Sequence, residues 1–169
     1  LIAEELEFIL KDSGTSVLIF SEEFAAVCAE LASRGDRTDI TTWIQVGGTP
    51  ADGVLEYNEW VDIAADTEIE STASGDDYAF IMYTSGTTGL PKGVIHSHDT
   101  VMWSLLTGTA SLDFRLGDRF LNSLPLFHVG ALNPVLANAY AGGTTVLMRS
   151  FDPAESWRLI TEEKINSTL

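Results

Sequence analysis

The order of helix-forming and strand-forming segments predicts an α/β fold, in which a largely parallel sheet is flanked by helices. Segments with apolar residues at helical spacing alternate with short β-branched runs along nearly the whole chain. Neither an internal repeat nor a heptad pattern accompanies this alternation. A strand followed by a helix and then by another strand is the building unit of parallel sheets, so this order favours α/β over an all-helical or all-strand class.

The first part of the chain predicts helices that pack one apolar face on a small sheet. Ser21 can cap the second helix, and Cys28 falls on its apolar face. We therefore expect Cys28 to be a core residue rather than a nucleophile, and Trp60 of the third helix to be buried as well. Residues 65–77 are acidic and polar and predict a surface connector, which we favour over a domain boundary. The predicted elements are a helix over 2–11, a strand over 17–20, a helix that ends at Gly35, a strand over 41–46 and a helix over 57–64.

The second part of the chain continues the alternation. Residues 78–84 are almost entirely apolar, which predicts a strand buried on both faces. Ser97 or Asp99 can cap the next helix, and Asp152 followed by a proline predicts a sharp helix start. Trp157 is expected on the buried face of that last helix. The other predicted elements are strands over 93–96, 119–123 and 144–148, a helix over 131–140 and the beginning of a strand over 165–169.

Composition and charge limit the classes of partner. The chain has 169 residues, 45% of them hydrophobic, and a formal net charge of −16. Nucleic acids and anionic membranes select for basic surfaces, so neither is expected as a general partner. The one cysteine excludes an internal disulfide and suits a reducing compartment, so we expect a cytoplasmic protein.

One long stretch raises the question of a membrane span. Residues 120–148 contain no Asp, Glu, Lys or Arg. Asparagine, proline and glycine interrupt the stretch too often for a continuous apolar helix, so it predicts a buried α/β core and no transmembrane segment.

A glycine-rich loop between the predicted strands over 78–84 and 93–96 is the strongest functional signal. Residues 83–93 read YTSGTTGLPKG, with glycines, small hydroxyl residues and one lysine. Glycines let backbone N–H groups approach an oxyanion, hydroxyls add donors, and Lys92 adds a positive charge, so the composition predicts a phosphate-binding loop. Lys92 is the only Lys or Arg between Arg37 and Arg115, which argues against a merely solvated turn.

The same run resembles the signature loop of the adenylate-forming superfamily, which includes acyl-CoA synthetases, luciferase and the adenylation domains of peptide synthetases. It is not a Walker loop, because Pro91 precedes Lys92 and Gly93 follows it. The match is unbroken from Tyr83 through Val94, and a looser resemblance extends over the rest of the chain. The resemblance implies that residues 1–169 are part of a large N-terminal AMP-binding domain, whose remainder and small C-terminal domain are absent.

The resemblance also implies what the loop does. In the family, a carboxylate attacks the α-phosphorus of ATP to form an acyl-adenylate, and coenzyme A (CoA) then displaces AMP. Lys92 is the residue that we expect to assist catalysis by neutralising charge on the departing pyrophosphate, and Thr84 matches the family position that can help to hold Mg²⁺. The expected substrates are thus a small carboxylic acid, ATP with Mg²⁺, and CoA. The predicted nucleotide-binding residues are Thr84, Ser85, Gly86, Thr87, Thr88, Gly89 and Lys92.

A second motif concerns the acid. Residues 125–128 read Pro-Leu-Phe-His. On general grounds a histidine after an aromatic residue is more often packed than functional. The family resemblance reverses that expectation, because its equivalent lines the acyl pocket, and His128 is therefore predicted to bind the substrate.

Three functions stay open at this point. A fatty-acyl-CoA ligase is favoured, because the paired threonines of the loop, the Pro-Leu-Phe-His motif and the uncharged stretch behind it suit an apolar acid. An aryl-CoA ligase or another adenylate-forming enzyme is the alternative within the same chemistry. A non-catalytic nucleotide-binding α/β module that keeps the loop as a relic belongs to another class. In every case we expect residues 1–169 alone to lack ligase activity.

Overall fold

The computed structural model describes residues 2–84 and 89–169. The chain divides into two compact units, the first formed by Leu1–Thr72 with Tyr83–Gly93 and the second by Ala73–Met82 with Val94–Leu169. The first division falls within the stretch 65–77, for which the sequence favours a connector over a boundary. Helices and strands alternate through both units, so the predicted α/β class is confirmed.

The first unit is built on a parallel sheet. Strand β1 pairs with β2 from Val17 opposite Thr42 to Ser21 opposite Val46, and β2 pairs with β3, both in parallel. The elements are helix α1 (Ala3–Asp12), β1 (Val17–Ser21), α2 (Ala25–Ser33), β2 (Thr42–Val46), β3 (Leu55–Glu56) and α3 (Tyr57–Asp62), with 3-10 turns at Glu22–Phe24 and Gly35–Arg37.

The core of the first unit joins α1 to α2. Leu10 and Leu31 pack in it with Ala3. Cys28 is buried, as the sequence predicts, and burial raises the pKa of its thiol, which disfavours a nucleophilic thiolate. The prediction for Trp60 is wrong, because 42% of this residue is exposed.

The predicted cap at Ser21 is also wrong. A 3-10 turn separates Ser21 from α2. The Ser21 hydroxyl donates to Glu23 Oε1 at 3.2 Å instead of accepting from a helix N–H. The extra turn moves the true start of the helix to Ala25, out of reach of the Ser21 side chain.

Strands β4 (Tyr78–Thr84) and β5 (Lys92–Ser97) pair with each other in a two-stranded sheet. The prediction that β4 is buried on both faces is wrong for the described chain. Tyr78 is 72% exposed, and no described residue of β4 is fully buried. Among the described residues, one aromatic contact covers part of this sheet. Phe80 stacks on His96, with ring centroids 4.7 Å apart.

The second unit contains a three-stranded parallel sheet in the order β7-β6-β8. Ser97 caps its first helix, because the Ser97 hydroxyl accepts from Thr100 N at 3.3 Å. Asp152 caps its last helix by accepting from Glu155 N at 2.7 Å, as predicted. The elements are α4 (His98–Leu112), β6 (Arg119–Asn122), α5 (Val129–Tyr140), β7 (Thr144–Leu147), α6 (Pro153–Glu162) and β8 (Ser167–Thr168).

An aromatic pair centres the core of the second unit. Phe114 meets Phe120 edge to face, with ring centroids 5.5 Å apart, and Ala137 packs beside them. Trp157 is 71% exposed, so the prediction that it lies on the buried face of α6 is wrong. The half-buried residues of that face are Leu159 and Ile160.

A buried asparagine shapes the turn from α5 to β7. Asn138 is fully buried, its backbone carbonyl accepts from Gly143 N at 2.8 Å, and its amide donates to Thr145 Oγ1 at 3.0 Å. A Cβ at Gly143 would lie 2.1 Å from Asn138 Oδ1. A side chain at position 143 would therefore collide with an amide that is fully buried and hydrogen-bonded to Thr145.

We expect Gly143→Ala to destabilise the second unit by about 1–3 kcal/mol, the usual cost of overpacking a buried site. Gly108→Ala is the matched control, since its added Cβ would meet Ala137 Cβ at an ordinary 3.5 Å and alanine favours a helix over glycine. Denaturant unfolding measures both variants, and a Gly143→Ala midpoint equal to that of the parent would contradict the assignment.

Candidate active site

The glycine-rich loop connects β4 to β5. Gly89 has a φ of 114°, which side-chain-bearing residues rarely adopt, and open space surrounds the position where a Cβ would lie. Glycine is thus needed there for the backbone and not to make room for packing. Three of the predicted binding residues are described (Thr84, Gly89 and Lys92), and the other four lie outside the described residues: Ser85, Gly86, Thr87 and Thr88.

The two ends of the loop meet at its base. Thr84 Oγ1 donates to the backbone carbonyl of Lys92 in a long contact of 3.5 Å. Both residues are exposed. The structure therefore brings together the predicted metal-binding hydroxyl and the residue that carries the predicted catalytic cation.

The charge of Lys92 is uncompensated within the described part of the chain. None of the carboxylates in residues 2–84 and 89–169 forms an ion pair with its ammonium group. Arginines, by contrast, form ion pairs with carboxylates. Arg34, for example, contacts three of them: Glu4, Glu7 and Glu30. An unpaired lysine at the base of a glycine loop is available to an anionic ligand.

Tyr83, one residue before the loop's first hydroxyl, is held by a long-range hydrogen bond. Its phenol donates to Asp12 Oδ2 at 2.6 Å, across 71 residues of sequence. Burial, together with the hydrogen bond to Asp12, raises the pKa of Tyr83 to about 12. The phenol therefore stays protonated, and stays a donor, at any pH at which the protein would be assayed.

The Pro-Leu-Phe-His stretch lies between β6 and α5 in the second unit. Buried Asn122, the last residue of β6, donates from its amide to Leu124 O at 2.8 Å and so fixes the start of the stretch. His128 N donates to Pro125 O at 3.1 Å, which closes a turn. Phe127 and His128 are both exposed at its end.

His128 has a local role that the sequence does not predict. It is the N-cap residue of α5, and its Nδ1 accepts from Gly130 N at 3.0 Å. A ring nitrogen that accepts carries no proton, so the neutral ring bears its hydrogen on Nε2. His128 thus caps a helix with one nitrogen and presents a hydrogen-bond donor with the other.

A groove of about 630 Å³ runs between α4 and α5 of the second unit. Gly108 faces Ala137 across the two helices, and Asn133 Nδ2 donates to Ser104 Oγ at 2.9 Å across them. Val129 and Gly130, which directly follow His128, line one part of the groove, and Trp103 lines another. The groove is a candidate site for an apolar chain with a histidine donor next to its lining.

Two parts of this arrangement are missed by reading the sequence. The partnership of Tyr83 with Asp12 leaves no local signal, because the residues are far apart in the chain. The groove does leave one, since Ser104, Thr107, Gly108 and Ser111 fall on one face of α4 at helical spacing. Such a face of small residues indicates a close helix neighbour or an adjacent cavity.

Within the described residues, histidine, cysteine and acidic side chains nowhere gather in groups of three or more that could hold a metal ion. Within the same ranges, each helix is too short or too polar to cross a bilayer.

The family model described as AMP-binding enzyme matches the chain over residues 1–169. The chain belongs to the AMP-binding enzyme family. The resemblance predicted from the loop is therefore confirmed.

Relatives in the AMP-binding family include enzymes named for CoA thioesters of different acids. The chain is 40% identical over 166 residues to the long-chain-fatty-acid–CoA ligase FadD13 of Mycobacterium tuberculosis, covering 98% of this chain and 31% of the relative. It is 35% identical over 163 residues to a feruloyl-CoA synthase of an Amycolatopsis species, covering 95% and 30%. The chain therefore spans about a third of the length of these curated relatives.

A solved structure agrees with both the fold and the family. The N-terminal domain of FACL13 from Mycobacterium tuberculosis, crystallised with a bound inhibitor, superposes with a TM-score of 0.85 at 41% identity. The superposition covers 99% of this chain and 40% of that one. The α/β arrangement described above is thus that of an AMP-binding N-terminal domain.

Proposed function

We propose that residues 1–169 are part of the N-terminal domain of a longer acid–CoA ligase, which activates a carboxylic acid with ATP and transfers the acyl group to CoA. The observation that supports this most is Lys92, an unpaired cation among the described residues at the base of the family's signature loop. A site built from backbone groups, hydroxyls and one lysine can position phosphates and neutralise their charge, but it supplies no nucleophile.

The first step joins two anions. An oxygen of the substrate carboxylate attacks the α-phosphorus of ATP, the bond to pyrophosphate breaks, and its electrons leave with pyrophosphate. Lys92 stabilises the charge that develops on this leaving group. In the second step the sulfur of CoA attacks the acyl carbonyl, AMP leaves, and the thiol proton passes to solvent.

Mg²⁺ enters such a reaction with ATP, as part of the substrate. Mg²⁺ takes most of its ligands from phosphates and water and few from protein, so a site without an acidic cluster in the described residues fits it. The Thr84 hydroxyl, exposed at the loop base, is the described group that we propose as its protein ligand. Bound Mg²⁺ would supply charge neutralisation on the phosphates.

Long-chain fatty acids are the proposed acids. The groove between α4 and α5 has room for an apolar chain, and the FadD13 relative is named for such acids. An aromatic acid is the second candidate, because another relative is a feruloyl-CoA synthase. A panel of fatty and aromatic acids offered to the complete protein separates the two, and preference for feruloyl-type acids over all fatty acids would contradict the first.

The reducing conditions that suit the lone buried Cys28 support a cytoplasmic location.

His128 is proposed to donate from Nε2 to the substrate carboxylate, while Nδ1 keeps the helix capped. His128→Ser should retain a capping side chain but lose the distal donor. We expect kcat/KM for the acid to fall by about 10- to 100-fold, the effect of losing a hydrogen bond to a charged group worth about 1–3 kcal/mol. The affinity for ATP, measured by calorimetry, should stay within about twofold.

His128→Ala is the comparison variant, since it removes the cap as well and should lower the melting temperature further than His128→Ser. A large loss of ATP affinity in His128→Ser would show that His128 serves the nucleotide rather than the acid. Unchanged use of the acid by both variants would leave His128 with the helix cap as its sole role.

A further inference from the structure

The loop's attachment differs from that of the strands on either side of it. Residues Tyr83–Gly93 belong to the first compact unit, with Leu1–Thr72, whereas the rest of β4 and of β5 belongs to the second unit. Residues of β4 are mostly exposed, so burial of that strand does little to fix where the loop begins. A side-chain contact within the first unit can therefore help to fix the start of the loop.

The bond from Tyr83 to Asp12 is a contact of this kind. Its oxygen–oxygen distance of 2.6 Å is that of a hydrogen bond to a charged acceptor. Both residues belong to the first unit, and Tyr83 directly precedes Thr84. Because neighbouring side chains in a strand point to opposite faces, holding Tyr83 on the side of α1 directs the Thr84 hydroxyl to the other face.

The position of Asp12 is unfavourable for its own helix. It is the last residue of α1, where the exposed carbonyl groups carry partial negative charge. A carboxylate there costs helix stability, and the neighbouring Lys11, which suits that end, is paired with Asp39 at 2.7 Å instead. The hydrogen bond from the Tyr83 phenol stabilises the Asp12 carboxylate at this position.

We propose that Tyr83 is a positioning residue for the phosphate-binding loop, which holds the start of the loop against the end of α1 through Asp12. This keeps Thr84 and Lys92 in the arrangement that receives the ATP phosphates. The inference rests on the proposed function of the loop. Preorganised groups of this kind lower the barrier of a reaction because they need no rearrangement when charge develops.

The test uses the complete protein and measures acid-dependent exchange of pyrophosphate into ATP over a series of ATP concentrations. Tyr83→Phe removes the donor, Asp12→Ala removes the acceptor, and Asp12→Asn keeps a carbonyl acceptor. We expect Tyr83→Phe and Asp12→Ala each to lower kcat/KM for ATP by about tenfold, with KM for the acid unchanged. Asp12→Asn should recover most of the rate. Tyr83→Phe combined with Asp12→Ala should be no more than about twofold worse than either alone, since both remove one interaction.

Lys11→Ala is the matched control, because it breaks a surface ion pair one residue away and should leave exchange unchanged. Full exchange by both single variants, additive losses in the double variant, or equal losses for Asp12→Asn and Asp12→Ala would overturn the proposal. A parent protein that exchanges no pyrophosphate with any acid would overturn the proposed function and this inference with it. A normal parent with unaffected variants would overturn the inference alone.

Discussion

Lys92→Met in the complete ligase is expected to slow formation of the acyl-adenylate by about 10²- to 10³-fold, the effect of removing one preorganised electrostatic contact from a transition state. The side chain is exposed and without a carboxylate partner in the described chain, so its removal leaves no buried charge and should not unfold the protein. Single-turnover release of pyrophosphate measures the step directly. Affinity for the carboxylic acid should change little, because the cation acts on the phosphates.

Lys164→Met serves as the control for this prediction. Lys164 is also exposed, but it follows α6 in the second unit, outside the loop. Its replacement should leave the single-turnover rate unchanged. A Lys92→Met protein that releases pyrophosphate as fast as the parent would remove Lys92 from the mechanism.

Residues 1–169 expressed alone are expected to form no acyl-CoA from ATP, CoA and a fatty acid. The described residues are proposed to supply some phosphate contacts and a groove for the acid, and the chain spans about a third of the length of its curated relatives. Contacts to adenine, ribose and CoA are proposed to come from the rest of a longer protein. Exposed apolar side chains such as Trp157 should also favour aggregation.

Sizing of the purified chain followed by an acyl-CoA assay tests this prediction, with the complete protein assayed in parallel as the positive control. Steady turnover by a monomer of 169 residues would show that these residues suffice for catalysis. The proposal of a partial domain would then be wrong.

Element type was predictable where the signal is local. The start of α6 follows from an N-cap aspartate and a proline at the first helical position. The start of α4 follows from its N-cap serine, Ser97. The family was predictable from the glycine-rich loop, whose residue types suit a phosphate ligand, while phosphate binding by the loop stays a prediction. Parallel pairing follows from the alternation of elements, whereas the division of the strands into three groups does not, since alternation leaves strand neighbours unspecified.

Burial was the least predictable property. The apolar run of β4, Trp60 and Trp157 predict core positions, yet none of these residues is buried in the described chain and Trp157 is largely exposed. An apolar pattern reports that a face is suited to contact and leaves open which segment covers it. The bond from Tyr83 to Asp12 was unpredictable for a related reason, since it depends on how distant elements meet.

The central claim is that this chain belongs to an enzyme that adenylates a carboxylic acid, and acid-dependent exchange of labelled pyrophosphate into ATP by the complete protein tests it most directly. We expect exchange that requires both Mg²⁺ and a carboxylic acid, is fastest with long-chain fatty acids and is largely lost in Lys92→Met. A complete, folded protein that binds ATP but exchanges no pyrophosphate with any fatty or aromatic acid would contradict it, and would leave a nucleotide-binding module without catalysis.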